Sequence, residues 1–121
     1  MRVSFHILVS FGADHADDVA PFLAIPELRA AGHAPGAEGE VVLLGGAGAD
    51  WAVRLAESKG CLVTIVPGQW PAAAALAHFA GRATKLYLLP GADPAPFSAA
   101  ASSGYATFTF APDTKSWQLT P

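Results

Sequence analysis

One short motif occurs three times in this chain, and its residues are the strongest candidates for binding a ligand. Gly-Ala-Asp occurs at positions 12–14, 48–50 and 91–93, each time at the end of an apolar run. At a turn from a strand into a helix, glycines let backbone N–H groups approach a ligand, and the helix N-terminus favours an anion. The same glycines would equally suit a tight turn that binds no ligand. The chain contains neither GxGxxG nor a Walker lysine, the motifs that would favour a nucleotide-binding loop.

The second copy lies in a β-α-β unit. Residues 41–44 form an uninterrupted apolar run, which predicts a strand buried on both faces, and Gly45, Gly46 and Gly48 follow it. Asp50 is a natural N-cap for a helix that Gly60 ends, and residues 61–66 predict the next strand. Two parallel neighbours joined in this way have a right-handed crossover.

The remaining sequence continues the alternation of strands and helices. Residues 3–11 predict a first, central strand, and residues 14–24 and 26–31 predict two short helices interrupted by Pro21 and Pro26. Further elements are a surface loop at 32–39, a helix opened by Trp70-Pro71 and ended by Gly81, a strand at 85–89, a short helix at 93–102, a strand at 105–110 and a short antiparallel edge strand at 117–120. The predicted fold class is α/β, with a mostly parallel five-stranded sheet in one domain, 1–121.

Parallel strands bring distant turns together at one edge of the sheet. Open α/β sheets bind ligands at the carboxyl ends of their strands. Any site should therefore be built from residues 11–14, 45–50, 68–70 and 91–93. The seven basic residues fall elsewhere in the predicted elements, whereas five aspartates crowd this edge, so a phosphate bound here would meet backbone donors but no cationic side chain.

Composition narrows the class of protein. Hydrophobic residues make up 52% of the 121 residues and charged residues 14%, which indicates an ordered sheet or a surface partly buried by a partner. The net charge of −3 argues against nucleic acid as a partner. No apolar stretch reaches the length of a membrane helix and the first ten residues lack a signal-peptide pattern, so we expect a cytoplasmic protein that does not contact membranes.

The stretch GGAGAD, the helix AVRLAESKG, a strand and then P-x-x-W resemble the SLOG superfamily, most closely its YspA-like branch. The resemblance covers residues 41–110 and continues at Pro90-Gly91, where the family has a PGG-x-GT loop. It implies a three-layer Rossmann-like sandwich that binds a nucleotide-derived small molecule. By matched position, Gly45, Gly46, Gly48 and Asp50 would form the first ligand loop, Pro90 and Gly91 the second, and Trp70 a wall of the pocket. The family's basic loop residue and its GT pair have no counterpart here.

Other chemistry has weaker support in the sequence. Asp14, Asp17 and Asp18 suit a charge-capped helix better than a metal site, because further oxygen ligands are missing. Cys61 fits a small buried thiol, and His15 is the only histidine predicted beside the carboxyl edge. We expect no cofactor and no catalytic residue.

Three functions remain open at this point. The first is a non-enzymatic SLOG-like domain that binds a nucleoside or nucleotide derivative through Gly12, Asp14, Asp93 and the loop residues named above. The second is an interaction module that has lost its ligand and forms homo-oligomers or joins a partner protein. The third is an N-glycosidic hydrolase resembling the LOG branch, which would need Asp50 or Asp93 as its acid.

Overall fold

One six-stranded sheet organises the part of the chain that the computed structural model describes, residues 4–11, 19–31, 38–45, 50–66, 70–81, 83–90, 92–93 and 95–120. In chain order the strands are β1 (Ser4–Ser10), β2 (Glu38–Leu44), β3 (Leu62–Val66), β4 (Lys85–Leu88), β5 (Ala106–Ala111) and β6 (Ser116–Leu119). Across the sheet their order is β3-β2-β1-β4-β5-β6. The first five are parallel and β6 is antiparallel to β5. The α/β fold, the central first strand and the antiparallel edge strand are thus confirmed.

Helices cover both faces of this sheet. Their bounds are α1 (Val19–Leu23), α2 (Pro26–Ala31), α3 (Asp50–Ser58) and α4 (Ala72–Phe79). The first three pack on one face, where Phe22, Ile25 and Leu28 are fully buried against the odd-numbered residues of β1 and β2. The helix α4 packs on the other face over even-numbered residues of the same strands. The result is a three-layer, Rossmann-like sandwich.

The apolar run in β2 is buried on both faces, as predicted, because strands lie on either side of it and helices lie above and below. Val41 and Val42 are completely inaccessible although their side chains point to opposite faces. Gly60 and Gly81, which were predicted to end helices, adopt the left-handed conformation that glycine allows. None of the described helices combines the length and the apolar character needed to cross a membrane.

The predicted helix at 93–102 is wrong. Two 3₁₀ turns, Ala95–Phe97 and Ala101–Ser103, take its place. The Ser98 N–H donates to the Ala95 carbonyl and the Ala100 N–H to the Phe97 carbonyl, which is the tighter three-residue spacing. The Ser102 hydroxyl also donates to the Ala99 carbonyl at 2.9 Å, so a side chain competes with the backbone for an acceptor of this segment.

Two boundaries of predicted elements also differ from the structure. Glu38 and Gly39 belong to β2, so the predicted loop at 32–39 is shorter at its end, and its other residues lie outside the described ranges. Gly39 pairs with Phe5, whose ring occupies the space where a side chain at position 39 would stand. Pro71 precedes α4 in an extended conformation, whereas the sequence predicted it as the first helical residue.

Candidate functional site

The carboxyl ends of four parallel strands meet at one edge of the sheet. The chain passes from β1 to β2 to β3 in one direction and then returns to place β4 on the opposite side of β1. Two backbone hydrogen bonds continue past the strand ends: the Phe11 N–H donates to the Leu44 carbonyl and the Leu89 N–H to the Ser10 carbonyl, both at 3.0 Å. The switch point between β1 and β4, where such folds hold ligands, is therefore firmly fixed.

A cleft of about 260 Å³ opens at this edge, on the side of the sheet that α4 covers. Its described lining comes from all four strand ends or from the turns that follow them: Ser10, Phe11, Leu44, Gly45, Val66, Trp70, Ala72, Ala75, Asp93, Pro96 and Phe97. Small-molecule sites usually measure roughly 300–1,000 Å³ and have mostly apolar walls with a few polar groups. The cleft lies just below that range and has the same kind of wall.

Trp70 forms the outer wall of the cleft. Its residue surface is 42% exposed, although tryptophan is highly buried on average. The His78 ring on α4 meets it edge to face, with ring centroids 5.6 Å apart. This contact packs the indole against a side chain of α4.

Two polar side chains stand out in the described lining of the cleft. Asp93 is exposed, and its Oδ1 accepts a hydrogen bond from the Ala95 N–H at 3.0 Å. Ser10 is only 6% exposed and is the buried polar residue of the described core. Within the described ranges no protein group is hydrogen-bonded to the Ser10 hydroxyl, and a buried hydroxyl without a partner costs about 1–3 kcal/mol.

The described lining of the cleft carries a negative charge. Among its described lining residues Asp93 is charged and no lysine or arginine occurs. Lys85, at the amino end of β4, instead pairs with Glu27 at 2.7 Å. A phosphate in the cleft would therefore face a carboxylate without a cationic side chain from the described chain, as the sequence indicated.

The structure brings some predicted site residues together and separates others. Gly45, Trp70 and Asp93 line the cleft. Asp50 is exposed at the start of α3 and is not in the described lining, and Pro90 lines a separate hollow of about 560 Å³ beside α1. The remaining predicted ligand residues lie outside the described ranges: Gly12, Asp14, Gly46, Gly48 and Gly91.

Sequence reasoning missed seven of the eleven described lining residues, and two of these, Ser10 and Phe97, bear most on the chemistry and shape of the cleft. Ser10 is the single polar residue in the apolar second half of β1, and its place at the carboxyl end of that strand was the available signal. Phe97 was assigned to a predicted helix, and the 3₁₀ turn that replaces this helix brings the residue to the cleft. Neither residue belongs to a recognisable motif.

Other chemical candidates have structural roles. The Cys61 thiol is buried, and burial raises its pKa although nearby Lys59 opposes the change. At the amino end of the sheet, Glu40 accepts a hydrogen bond from the Thr64 hydroxyl at 2.7 Å and lies 3.1 Å from the His6 Nδ1.

The described residues contain no group of three histidine, cysteine or acidic side chains that could hold a metal. Asp17, Asp18 and His15 are outside those ranges.

Comparisons with protein-family models, with curated proteins and with solved structures gave no match for this chain.

Proposed function

We propose that this chain is a SLOG-like binding domain that takes a nucleoside, or a nucleotide-derived ligand of low charge, and does not transform it. One observation carries the proposal: four distant turns of the chain line one cleft, and that cleft lies at the carboxyl edge of a sheet with a switch point. Doubly wound sheets hold nucleotides at this place.

The shape of the cleft supports a single heterocycle with a small substituent. Trp70 offers an aromatic surface on which a base can stack, and Leu44, Val66 and Phe97 supply an apolar surround. A volume of about 260 Å³ is too small for a dinucleotide, which occupies the upper part of the range for ligand sites. We therefore favour a mononucleoside.

The described lining of the cleft supports binding without reaction, because it contains a single carboxylate. Hydrolysis of an N-glycosidic bond would need an acid placed beside the ribose, and general acid catalysis works best when that group is free to exchange a proton with the substrate. Asp93 is the one carboxylate in the described lining, and its Oδ1 already accepts the Ala95 N–H. Within the described lining, a hydrolase would have Asp93 as its acid.

Thermal unfolding with a ligand panel tests the proposal. The panel contains four nucleosides, their 5′-monophosphates and one dinucleotide, each at high excess. A ligand present at 100 times its Kd stabilises the folded state by about 2.7 kcal/mol. We expect at least one nucleoside to raise Tm and the dinucleotide to leave it unchanged. Unchanged Tm values with every compound, together with no heat in calorimetry, would contradict the proposal.

A second candidate function is an interaction module that acts through self-association. The outermost strand β3 supports it, because Leu62 is 73% exposed and Ile65 is 59% exposed. The strand contains no charged residue, although natural edge strands are usually protected by charges or prolines. Sedimentation velocity over a wide range of concentration tests this candidate, and a monomer throughout would remove it.

A further inference from the structure

Ser10 has a feature that its position in the sheet alone does not explain. It follows Leu8 on the face of β1 that packs under α4, and it is 6% exposed. Strand residues of this face are otherwise apolar at the carboxyl end, as Leu44 and Val66 are. A hydroxyl at such a place usually has a hydrogen-bond partner, either a protein group or an ordered water, because the large majority of buried side-chain polar atoms are hydrogen-bonded.

The hydroxyl of Ser10 has no such partner in the described chain, while the Ser10 carbonyl is already used by the Leu89 N–H. The residue lines the inner part of the cleft, next to the switch point between β1 and β4. A hydroxyl can both donate and accept one hydrogen bond. Among the described parts of the protein, the partner left to this hydroxyl is whatever fills the cleft.

Asp93 gives the cleft a second polar group of different character. One oxygen of its carboxylate, Oδ1, accepts the Ala95 N–H, which fixes the side chain, and the other oxygen is available as an acceptor. A carboxylate accepts hydrogen bonds but repels an anion, and no described lining residue brings a compensating positive charge. The acceptor favours a ligand that carries N–H or O–H donors.

We propose that Ser10 and Asp93 determine which ligand the cleft accepts: Ser10 bonds a polar atom of the bound heterocycle, and Asp93 selects an uncharged, donor-bearing nucleoside over its phosphate ester. This inference rests on the proposed function and adds two specificity residues to it. It also gives the Asp93 carboxylate a role in specificity: the carboxylate repels a phosphate and accepts hydrogen bonds from the hydroxyl groups of an unmodified sugar.

Isothermal titration calorimetry with each nucleoside and its 5′-monophosphate tests the assignment. For the wild-type protein we expect the nucleoside to bind more tightly than its monophosphate. Ser10→Ala should weaken nucleoside binding by about tenfold, since one hydrogen bond of ordinary strength is lost. Ser10→Cys keeps a weak hydrogen-bonding group and should fall between the two. Asp93→Asn keeps the acceptor for Ala95 but removes the charge, so it should narrow the preference for the nucleoside.

Matched controls separate these effects from a general loss of folding. Ser98→Ala removes an exposed serine beside Phe97 that lies outside the described cleft, and Asp113→Asn removes an exposed carboxylate on the β5–β6 turn. Both should bind as the wild type does, and circular dichroism should show every variant folded.

The possible outcomes distinguish this inference from the proposed function. Tighter binding of the monophosphate, or Ser10 variants that bind like wild type, would overturn the assignment of Ser10 and Asp93 while leaving the cleft a nucleotide site. No binding of either compound by the wild type would overturn both.

Discussion

The Tyr87 hydroxyl donates a hydrogen bond of 2.5 Å to Oε1 of Glu27, across 60 positions of sequence. Lys85 donates to the other carboxylate oxygen at 2.7 Å, so α2 is joined to β4 by a charged and a neutral donor at once. Tyr87 itself is buried, with its ring stacked on Phe108 at 5.0 Å between centroids. This cluster joins the first helical layer to the half of the sheet beyond the switch point.

The Glu27 cluster should make stability depend on pH in the acid range. Burial alone raises the pKa of the Glu27 carboxyl, but the hydrogen bonds from Lys85 and Tyr87 outweigh burial and hold the pKa below the ordinary value of 4.5. A pKa that is lowered in the folded state contributes stability that is fully present above the unfolded value. That contribution is lost as the pH falls from 4.5 through the lower folded value.

Glu27→Gln should therefore lower Tm at pH 7, and the difference from wild type should shrink below about pH 4.5. Tyr87→Phe should cost about 1.5–3 kcal/mol at pH 7, because the lost hydrogen bond goes to a charged group. Tyr105→Phe is the matched control, since that buried hydroxyl donates to the neutral Leu76 carbonyl at 2.7 Å. Equal pH profiles for the two tyrosine variants would contradict the role of Glu27.

Gly39 should tolerate no side chain, because the Phe5 ring lies over it. A Cβ built at position 39 would overlap three atoms of that ring. We expect Gly39→Ala to reduce the free energy of unfolding by about 1–3 kcal/mol, the usual cost of overpacking. In a Phe5→Ala background the same substitution should cost much less, and a double-mutant cycle by urea unfolding measures the coupling. Additive effects of the two substitutions would contradict this reading.

Much of the fold was predictable because local signals agreed with the tertiary structure. The apolar run in residues 41–44 indicated a strand, and the alternation of Phe108 and Phe110 indicated another. Gly60 and Gly81 indicated where two helices end, and both are left-handed in the structure. The order of the strands in the sheet was harder to predict from the sequence. The apolar residues of β2 and β3 look alike in sequence, yet β2 lies inside the sheet and β3 lies at one of its two edges. The path of the whole chain decides which strand has a neighbour on only one side.

The candidate site was predictable as a region more than as a set of residues. Parallel strands place their carboxyl ends together, so Gly45, Trp70 and Asp93 could be assigned to one edge from the sequence. Ser10 and Phe97 depend on side-chain direction and on a 3₁₀ turn, which motif matching does not encode. The Gly-Ala-Asp motif predicted Asp50 as a site residue, but Asp50 is the first residue of α3, is exposed and is not part of the described lining.

Cys61 should react slowly with thiol reagents while the protein is folded. The side chain is buried at the start of β3, and burial raises its pKa, so little of the reactive thiolate is present or accessible near neutral pH. We expect Ellman's reagent to label the native protein far more slowly than the protein in denaturant. Labelling at the same rate in both conditions would show that the β3 end of the core opens freely.

Trp70 should carry most of the stacking energy of a bound nucleoside. Trp70→Ala should cost about 1–3 kcal/mol of binding free energy, which is typical of one base on one aromatic ring. Trp70→Leu keeps an apolar side chain but removes the aromatic face, so it separates stacking from simple burial. Fluorescence quenching measures binding in the wild type and calorimetry measures it in both variants. Binding by Trp70→Leu equal to wild type would contradict stacking.

The edge strand β3 makes a prediction that tests the second candidate function. If the protein self-associates through this edge, a charge placed there should prevent it, because pairing would bury an unpartnered ammonium group. Ile65→Lys and Leu62→Lys should therefore move the sedimentation profile towards monomer. Leu119→Lys is the matched control: Leu119 is also largely exposed, but it lies on β6, at the opposite edge of the sheet. Loss of association in Leu119→Lys alone would place the contact at β6, and a monomeric wild type would remove self-association as a candidate function.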